Sequence, residues 1–180
     1  MAVEADVLAS IKLELSIKNT DFDTDLTDKI NRSVKRLFPY VQSEVKATVT
    51  VNQDDWRFTL PASCESIRFM YDADENKIED FIQHAREIIV RDYGLTSGSI
   101  TIYGNGRYTL STLPTEFEEA IIYYACSLFY AQLAGDKRKY NIYMQSTGSQ
   151  GVNNMREMAD WYEERANTYL QDRGVLLGYE

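Results

Sequence analysis

The sequence predicts an α+β protein: a helical bundle of about four helices with a β-rich insertion between the second and third. Three observations predict it. Apolar residues recur every three to four positions near both ends of the chain. Between residues 45 and 112 the apolar period shortens to two, the mark of half-buried strands. From Leu113 the helical period returns behind a strong start signal, L-P-T-E-F-E-E. The implied organisation is a helical core of residues 1–44 and 113–174, a β-rich insertion of 45–112, and a tail of 175–180.

Val3, Val7, Leu8 and Ile11 follow helical spacing, and I-K-L-E-L-S-I-K (Ile11 to Lys18) then alternates as a strand does. A short helix running into an extended piece is expected. In T-D-F-D-T-D-L, one of Asp21, Asp23 or Asp25 is expected to N-cap a second helix with an acidic first turn. Its apolar stripe is Leu26, Ile30, Val34, Leu37 and Val41, and Pro39 limits its end.

Val45, Ala47, Val49 and Val51 alternate with polar residues, Asn52 to Asp55 forms a turn, and Trp56, Phe58 and Leu60 alternate back. This predicts a hairpin ended by Pro61. Ser66 to Tyr71 reads as a third strand and D-A-D-E-N as an exposed turn. Ile78 to Tyr93 fits both periods, helix or strand, with Gly94 and Thr96 to Gly98 closing it. S-I-T-I-Y, G-N-G and R-Y-T-L predict a second hairpin across Gly104 to Gly106.

In the third helix, Pro114 sits near the first turn, Thr115 is a possible cap, and Glu116, Glu118 and Glu119 lie at the positive end of the dipole. Gly135 and Lys137 to Lys139 mark its C-terminal end. From Ala120 to Ala134 only Ser127 and Gln132 are polar, so the helix has no evident wet side. Its apolar core of 15 residues is short of the roughly 20 needed to cross a bilayer. Phe117, Ala120, Ile121, Tyr124, Leu128 and Ala131 can face the core, and Ile122, Ala125, Cys126, Phe129 and Leu133 a second partner. Tyr123, Ser127 and Tyr130 remain as an exposed strip with polar tips, the first candidate for a subunit seam. A turn or two of helix follows, then a loop (Ser146 to Asn154), and a last helix from about Met155 to Asp172.

The chain carries 28 acidic and 19 basic side chains, a net charge of −9. Each of the three segments is acidic, so no basic domain is concealed. Gripping nucleic acid requires clustered Lys and Arg, which disfavours that role, whereas an acidic wall suits a surface that DNA merely passes. Thirteen tyrosines suit cores and interfaces alike. Cys64 and Cys126 have no metal or disulfide spacing and read as small buried hydrophobes in a reducing compartment. The N-terminus lacks signal-peptide features, and a soluble protein made in a cytoplasm is expected.

Catalytic and cofactor signatures are not found. His84 stands without a partner motif, and neither cysteine sits in a nucleophile signature. G-N-G lies between strand patterns rather than opening a helix, as a dinucleotide fingerprint must. The clusters D-F-D-T-D and D-A-D-E-N open like calcium loops but lack the required Gly and Glu at their sixth and twelfth positions. They read as helix-capping and as a hairpin tip, leaving a metal-dependent hydrolase built on Asp21, Asp23 and Asp25 as a remote alternative. Lys137, Arg138 and Lys139 form the densest basic spot, suited to a helix C-terminus or to an interface rim.

The order of segments resembles the head-to-tail connector (adaptor, or head completion) proteins of tailed bacteriophages. Their N-terminal helix pair is similar to V-L-A-S-I-K-L-E-L-S-I-K-N-T-D-F-D-T-D-L-T-D-K-I-N-R-S-V. Their hallmark L-P-x-x-F-x-x-A-I-x-x-x-A helix is similar to L-P-T-E-F-E-E-A-I-I-Y-Y-A, and their last helix to N-N-M-R-E-M-A-D-W-Y-E-E-R-A-N. The likeness covers about residues 4–42 and 113–172. The middle, R-F-T-L-P-A-S-C-E-S-I-R-F-M-Y with G-S-I-T-I-Y, resembles the β insertion of larger members and of short-tailed-phage tail-ring adaptors. The resemblance implies a structural, non-catalytic virion protein without cofactors. It would form a dodecameric homo-oligomeric ring beneath the portal, around a channel through which DNA passes, and a platform for the next neck or tail component. Another neck or tail-completion ring is the nearer alternative. The implied location is the virion neck, reached from the host cytoplasm. Val175, Leu176, Leu177 and Tyr179, in an apolar tail, are candidates for an arm that docks in a partner's groove; a tail folded back on its own helix is the alternative.

Overall fold

The structure is a computed structural model that describes residues 4–39, 41–51, 57–91, 98–147 and 154–173. The chain is α+β, with five α-helices and two small antiparallel sheets among the described residues. It divides into two compact units: the residues up to Val41 with those from Tyr108 onward, and Gln42 to Arg107.

In the helical unit, α1 spans Glu4–Glu14 and α2 spans Asp23–Leu37. The alternating run Ile11 to Lys18 is not a strand. Ile11 and Leu15, one helical turn apart, are buried, whereas Leu13 is 82% exposed. The helix ends in a Schellman turn: Ser16 N–H donates to the Leu13 carbonyl (3.1 Å), and Ile17 N–H to that of Lys12 (2.8 Å). Ser16 adopts the left-handed conformation this requires (φ 56°), and the turn carries Ile17 back into the core. The apparent period of two is thus a helix followed by one tight turn.

On α2 the stripe Leu26, Ile30, Val34 and Leu37 is buried, and Val41 packs against the same core. The expected aspartate cap is absent. Phe22 occupies the N-cap position without a side-chain hydrogen bond, while Asp23 pairs with Lys12 (2.7 Å) and Asp25 with Lys139 (2.6 Å).

A 3-10 turn (Thr115–Phe117) leads into α3 (Glu118–Gly135), without a hydroxyl cap from Thr115. α3 packs against α1, α2, α4 (Lys137–Thr147) and α5 (Met155–Asp172). Residues 120–127 are all buried, because helices cover this stretch on every side. Leu128 is half-buried and Ala131 exposed, so the wet side begins only near the C-terminal end. α5 is N-capped by Asn154, whose side chain accepts from Glu157 N–H (3.2 Å). Met155, Ala159, Tyr162, Ala166 and Leu170 form its buried face. No helix among the described residues is long and apolar enough to cross a membrane.

The β unit contains β1 (Ser43–Val51), β2 (Arg57–Thr59), β3 (Ser66–Tyr71), β4 (Phe81–His84), β5 (Glu87–Val90) and β6 (Gly98–Gly106). The sheets have orders β1-β6-β3 and β2-β5-β4. β1 does not form a hairpin with the segment after it. It pairs along its whole length with β6, from Ser43 opposite Gly106 to Val51 opposite Gly98, while β2 pairs with β5. The expected turn Asn52 to Asp55 and Trp56 lie outside the described residues.

Nor does the chain reverse at G-N-G. β6 runs straight through it, and Tyr108 to Leu113 forms a turn in which Leu113 N–H donates to the Thr109 carbonyl (3.0 Å). Gly104 and Gly106 serve close approach instead. A Cβ on Gly104 would collide with the Ser66 carbonyl and Cys64 Sγ, and one on Gly106 with the Ser63 carbonyl and Val45. The ambiguous Ile78 to Tyr93 segment yields a hairpin, β4–β5, turned at Ala85 (φ 54°) and Arg86. Arg86 pins the strand ends by donating to the carbonyls of Leu60 (2.8 Å) and Pro61 (2.6 Å). The core of this unit includes Phe58, Leu60, Met70, Ile88, Ile100 and Ile102.

Candidate functional site

The predicted seam strip is not a surface. Tyr123, Ser127 and Tyr130 are all buried within the helical unit. The Tyr130 ring stacks on Tyr162 of α5 (5.7 Å, 16°), and its hydroxyl lies 3.3 Å from that of Tyr143. Tyr143 donates to the Leu15 carbonyl (3.1 Å), and Tyr162 donates to Glu14 Oε2 (3.1 Å). The Tyr130 hydroxyl, a tip expected to face water, thus joins through Tyr143 a cluster that closes the C-terminal end of α1, where the Leu15 carbonyl gains a donor. Tyr123 packs against Tyr162 and Tyr169, with the Arg165 guanidinium 4.5 Å above its ring.

Burial pushes the Tyr130, Tyr143 and Tyr162 phenols above their ordinary value. Above about pH 10 the unfolded chain releases phenolic protons that the native state retains. Stability from these groups is therefore complete below that pH and is lost as pH rises through it. Denaturant midpoints measured from pH 8 to 11 are expected to fall steeply at the alkaline end. Tyr130→Phe and Tyr162→Phe should each flatten the fall, and an unchanged slope would contradict this account.

The basic cluster also sits elsewhere than expected. Lys137 to Lys139 begin α4 rather than ending α3, and Asp136 between the helices accepts from the backbone N–H groups of Arg138 (3.0 Å) and Lys139 (3.1 Å). Lys139 is engaged by Asp25, whereas Lys137 and Arg138 are exposed. Val175, Leu176, Leu177 and Tyr179 lie outside the described residues.

The acidic clusters have local duties. Asp21 accepts from Asn19 (2.6 Å), while Asp23 and Asp25 each hold a lysine. Asp72 organises its turn by accepting from the N–H groups of Asp74 (2.9 Å) and Asn76 (2.7 Å) and from the Asn76 amide (3.0 Å). Among the described residues, no three His, Cys, Asp or Glu side chains come together to hold a metal ion. Cys64 and Cys126 are free and buried, and burial raises the thiol pKa of both. His84 ends β4 on the exposed side of the hairpin, opposite Glu87.

Two exposed features escape sequence reasoning. On α5, Trp161 is 46% exposed beside Arg165, whose guanidinium lies 5.1 Å over its ring. On the β1-β6-β3 sheet, Phe69 and Tyr103 stand side by side on the open face. Helical period puts Tyr162 on the apolar side of α5 and leaves Trp161 off it, and the strand irregularity that exposes Phe69 has no sequence signature.

No family model matches the sequence, and no curated protein matches it. Among solved structures, the chain is similar to a chain of the neck of an empty GTA particle computed with C6 symmetry. The TM-score is 0.32 and the identity 13%, over 86% of this chain and 87% of that one.

Proposed function

We propose that this chain is a structural protein of a virion neck, a head-to-tail connector that assembles as a ring beneath the portal. The observation that carries the reading is the path of the chain. It completes a helix pair (α1, α2), departs through a β unit from Gln42 to Arg107, and returns to the same helical unit for α3 and α5. That order is the one the connector resemblance implies. The other helical stretches that carry the resemblance, α1, α2 and α5, are packed on the buried strut α3.

The acidic charge suits a conduit wall that DNA passes without adhering. The exposed cations Lys137 and Arg138 are suited to the rim of a contact with an acidic neighbouring copy. In this role the protein turns nothing over, and its partners are copies of itself, the portal and the next neck or tail component. A virion mutant lacking the chain is expected to accumulate DNA-filled heads without attached tails. Normal joining in that mutant would refute the proposal.

The tail from Val175 is assigned to portal docking. Deleting Val175 to Glu180 should leave the far-ultraviolet circular dichroism unchanged and weaken binding to the portal. Undiminished binding would show that the tail is not the docking arm.

A further inference from the structure

The open face of the β1-β6-β3 sheet carries an aromatic recess. Across the strands, Lys46, Tyr103 and Phe69 form one row, and Thr48, Thr101 and Tyr71 the next. Plain alternation would put Phe69 on the same face as Ile67, whose partner Gly104 faces the core. A register shift between Ile67 and Phe69 reverses the phase, sending Met70 inward and turning Phe69 and Tyr71 out. Bulges of this kind re-aim side chains and recur beside functional surfaces. Phe69 is 48% exposed and Tyr103 37%, which places two large rings in water on one flat face. Tyr71 meets Tyr103 edge-on at 5.8 Å and 90°.

These rings, with Lys46, Thr101, Asp72 and Glu75, line an open recess of about 440 Å³. The turn that carries the two carboxylates is fixed. Asp72 holds it through three hydrogen bonds, and Glu75 takes a left-handed conformation (φ 64°) within it. The Asn76 amide, donating to Asp72, keeps that carboxyl ionised below the usual range.

Aromatic faces and carboxylates both attract positive charge. The chain itself already uses the faces this way: Lys46 Nζ lies 5.3 Å from the Tyr103 ring centre, and Lys77 Nζ 5.9 Å from that of Phe69. A purely apolar occupant would desolvate the Glu75 carboxylate without pairing it, and an anionic one would meet a lining whose two carboxylates outnumber its one ammonium, Lys46. Arginine fits better than lysine, because its planar guanidinium stacks on a ring while forking to a carboxylate. We infer that this recess is a docking site for an arginine side chain presented by a segment of a partner protein. The inference rests on the β unit alone and is independent of the connector reading.

The test uses the full chain and blocked tetrapeptides, acetyl-Gly-Arg-Leu-Gly-amide and versions with citrulline or leucine replacing arginine. Ring resonances of Phe69, Tyr71 and Tyr103 are followed by NMR at low salt. The arginine peptide should shift them saturably, with the citrulline and leucine peptides about tenfold weaker and added salt loosening the complex. Tyr103→Ala and Phe69→Ala should each weaken binding about three- to tenfold. Glu75→Gln, which leaves every ring in place, should weaken it about threefold. No saturable shift, equal binding of the citrulline or leucine peptide, or undiminished binding by Glu75→Gln would each overturn the inference.

Discussion

Phe129→Ala is expected to remove about 3–5 kcal/mol from the stability of the helical unit. Phe129 is fully buried on α3, and its ring meets Phe22 edge-on at 5.2 Å, Tyr143 at 5.7 Å and Tyr130 at 6.3 Å. The loop before α2, the strut α3 and helix α4 are thus joined through one side chain. Truncation forfeits the transfer of the ring out of water and leaves a cavity that three neighbouring rings cannot close without breaking their own contacts. Against a typical total of about 5–15 kcal/mol, such a loss leaves the unit marginal. Guanidinium denaturation followed by helical circular dichroism measures it. A loss below about 1 kcal/mol would mean that α3 is not enclosed as described.

Gly104→Ala should be comparably severe for the β unit. The added methyl would enter the space of the Ser66 carbonyl and Cys64 Sγ, and a backbone oxygen in a sheet cannot step aside without dragging β3 from β6. Overpacking of this kind costs about 3 kcal/mol or more, outweighing the roughly 0.4–1 kcal/mol gained by restricting the unfolded chain. Hydrogen exchange of the β3 and β6 amides should accelerate sharply. Gly135→Ala is the control, since nothing lies within 4 Å of its added Cβ. That substitution should be neutral or stabilising by up to about 1 kcal/mol. Equal stability of the Gly104→Ala and parent proteins would contradict the close-approach role.

The contrast between these glycines shows where sequence is informative. The stripes of α2 and α5 and the alternation of β1 are legible, because burial of one face imposes a period on the chain. Pairing is less so. β1 joins β6 across 47 positions, from Val51 to Gly98, and periodicity contains no term for partners that distant. Glycines that admit a close neighbouring backbone look like glycines that turn a chain, so G-N-G imitates a hairpin. Ile78 to Tyr93 satisfies both periods at once, and only its pairing with β2 decides it.

The tyrosine strip fails for a related reason. A phenol hydroxyl satisfied by a helix-end carbonyl is indistinguishable in sequence from one satisfied by water. Only the docking of α4 and α5 reveals that Tyr130 and Tyr143 donate and accept inside the unit. The exposed ring of Phe69 is hidden by the opposite effect, a register shift that sends a residue of an apparently inward strand face to solvent.

The connector proposal is tested most directly by electron microscopy of the purified protein mixed with the portal of the same virion. The expected result is a continuous ring of density on the portal, concentric with its channel, into which copies of the helical unit fit with the β unit between α2 and α3. A portal that remains bare at saturating protein, with the chain folded and in excess, would contradict it.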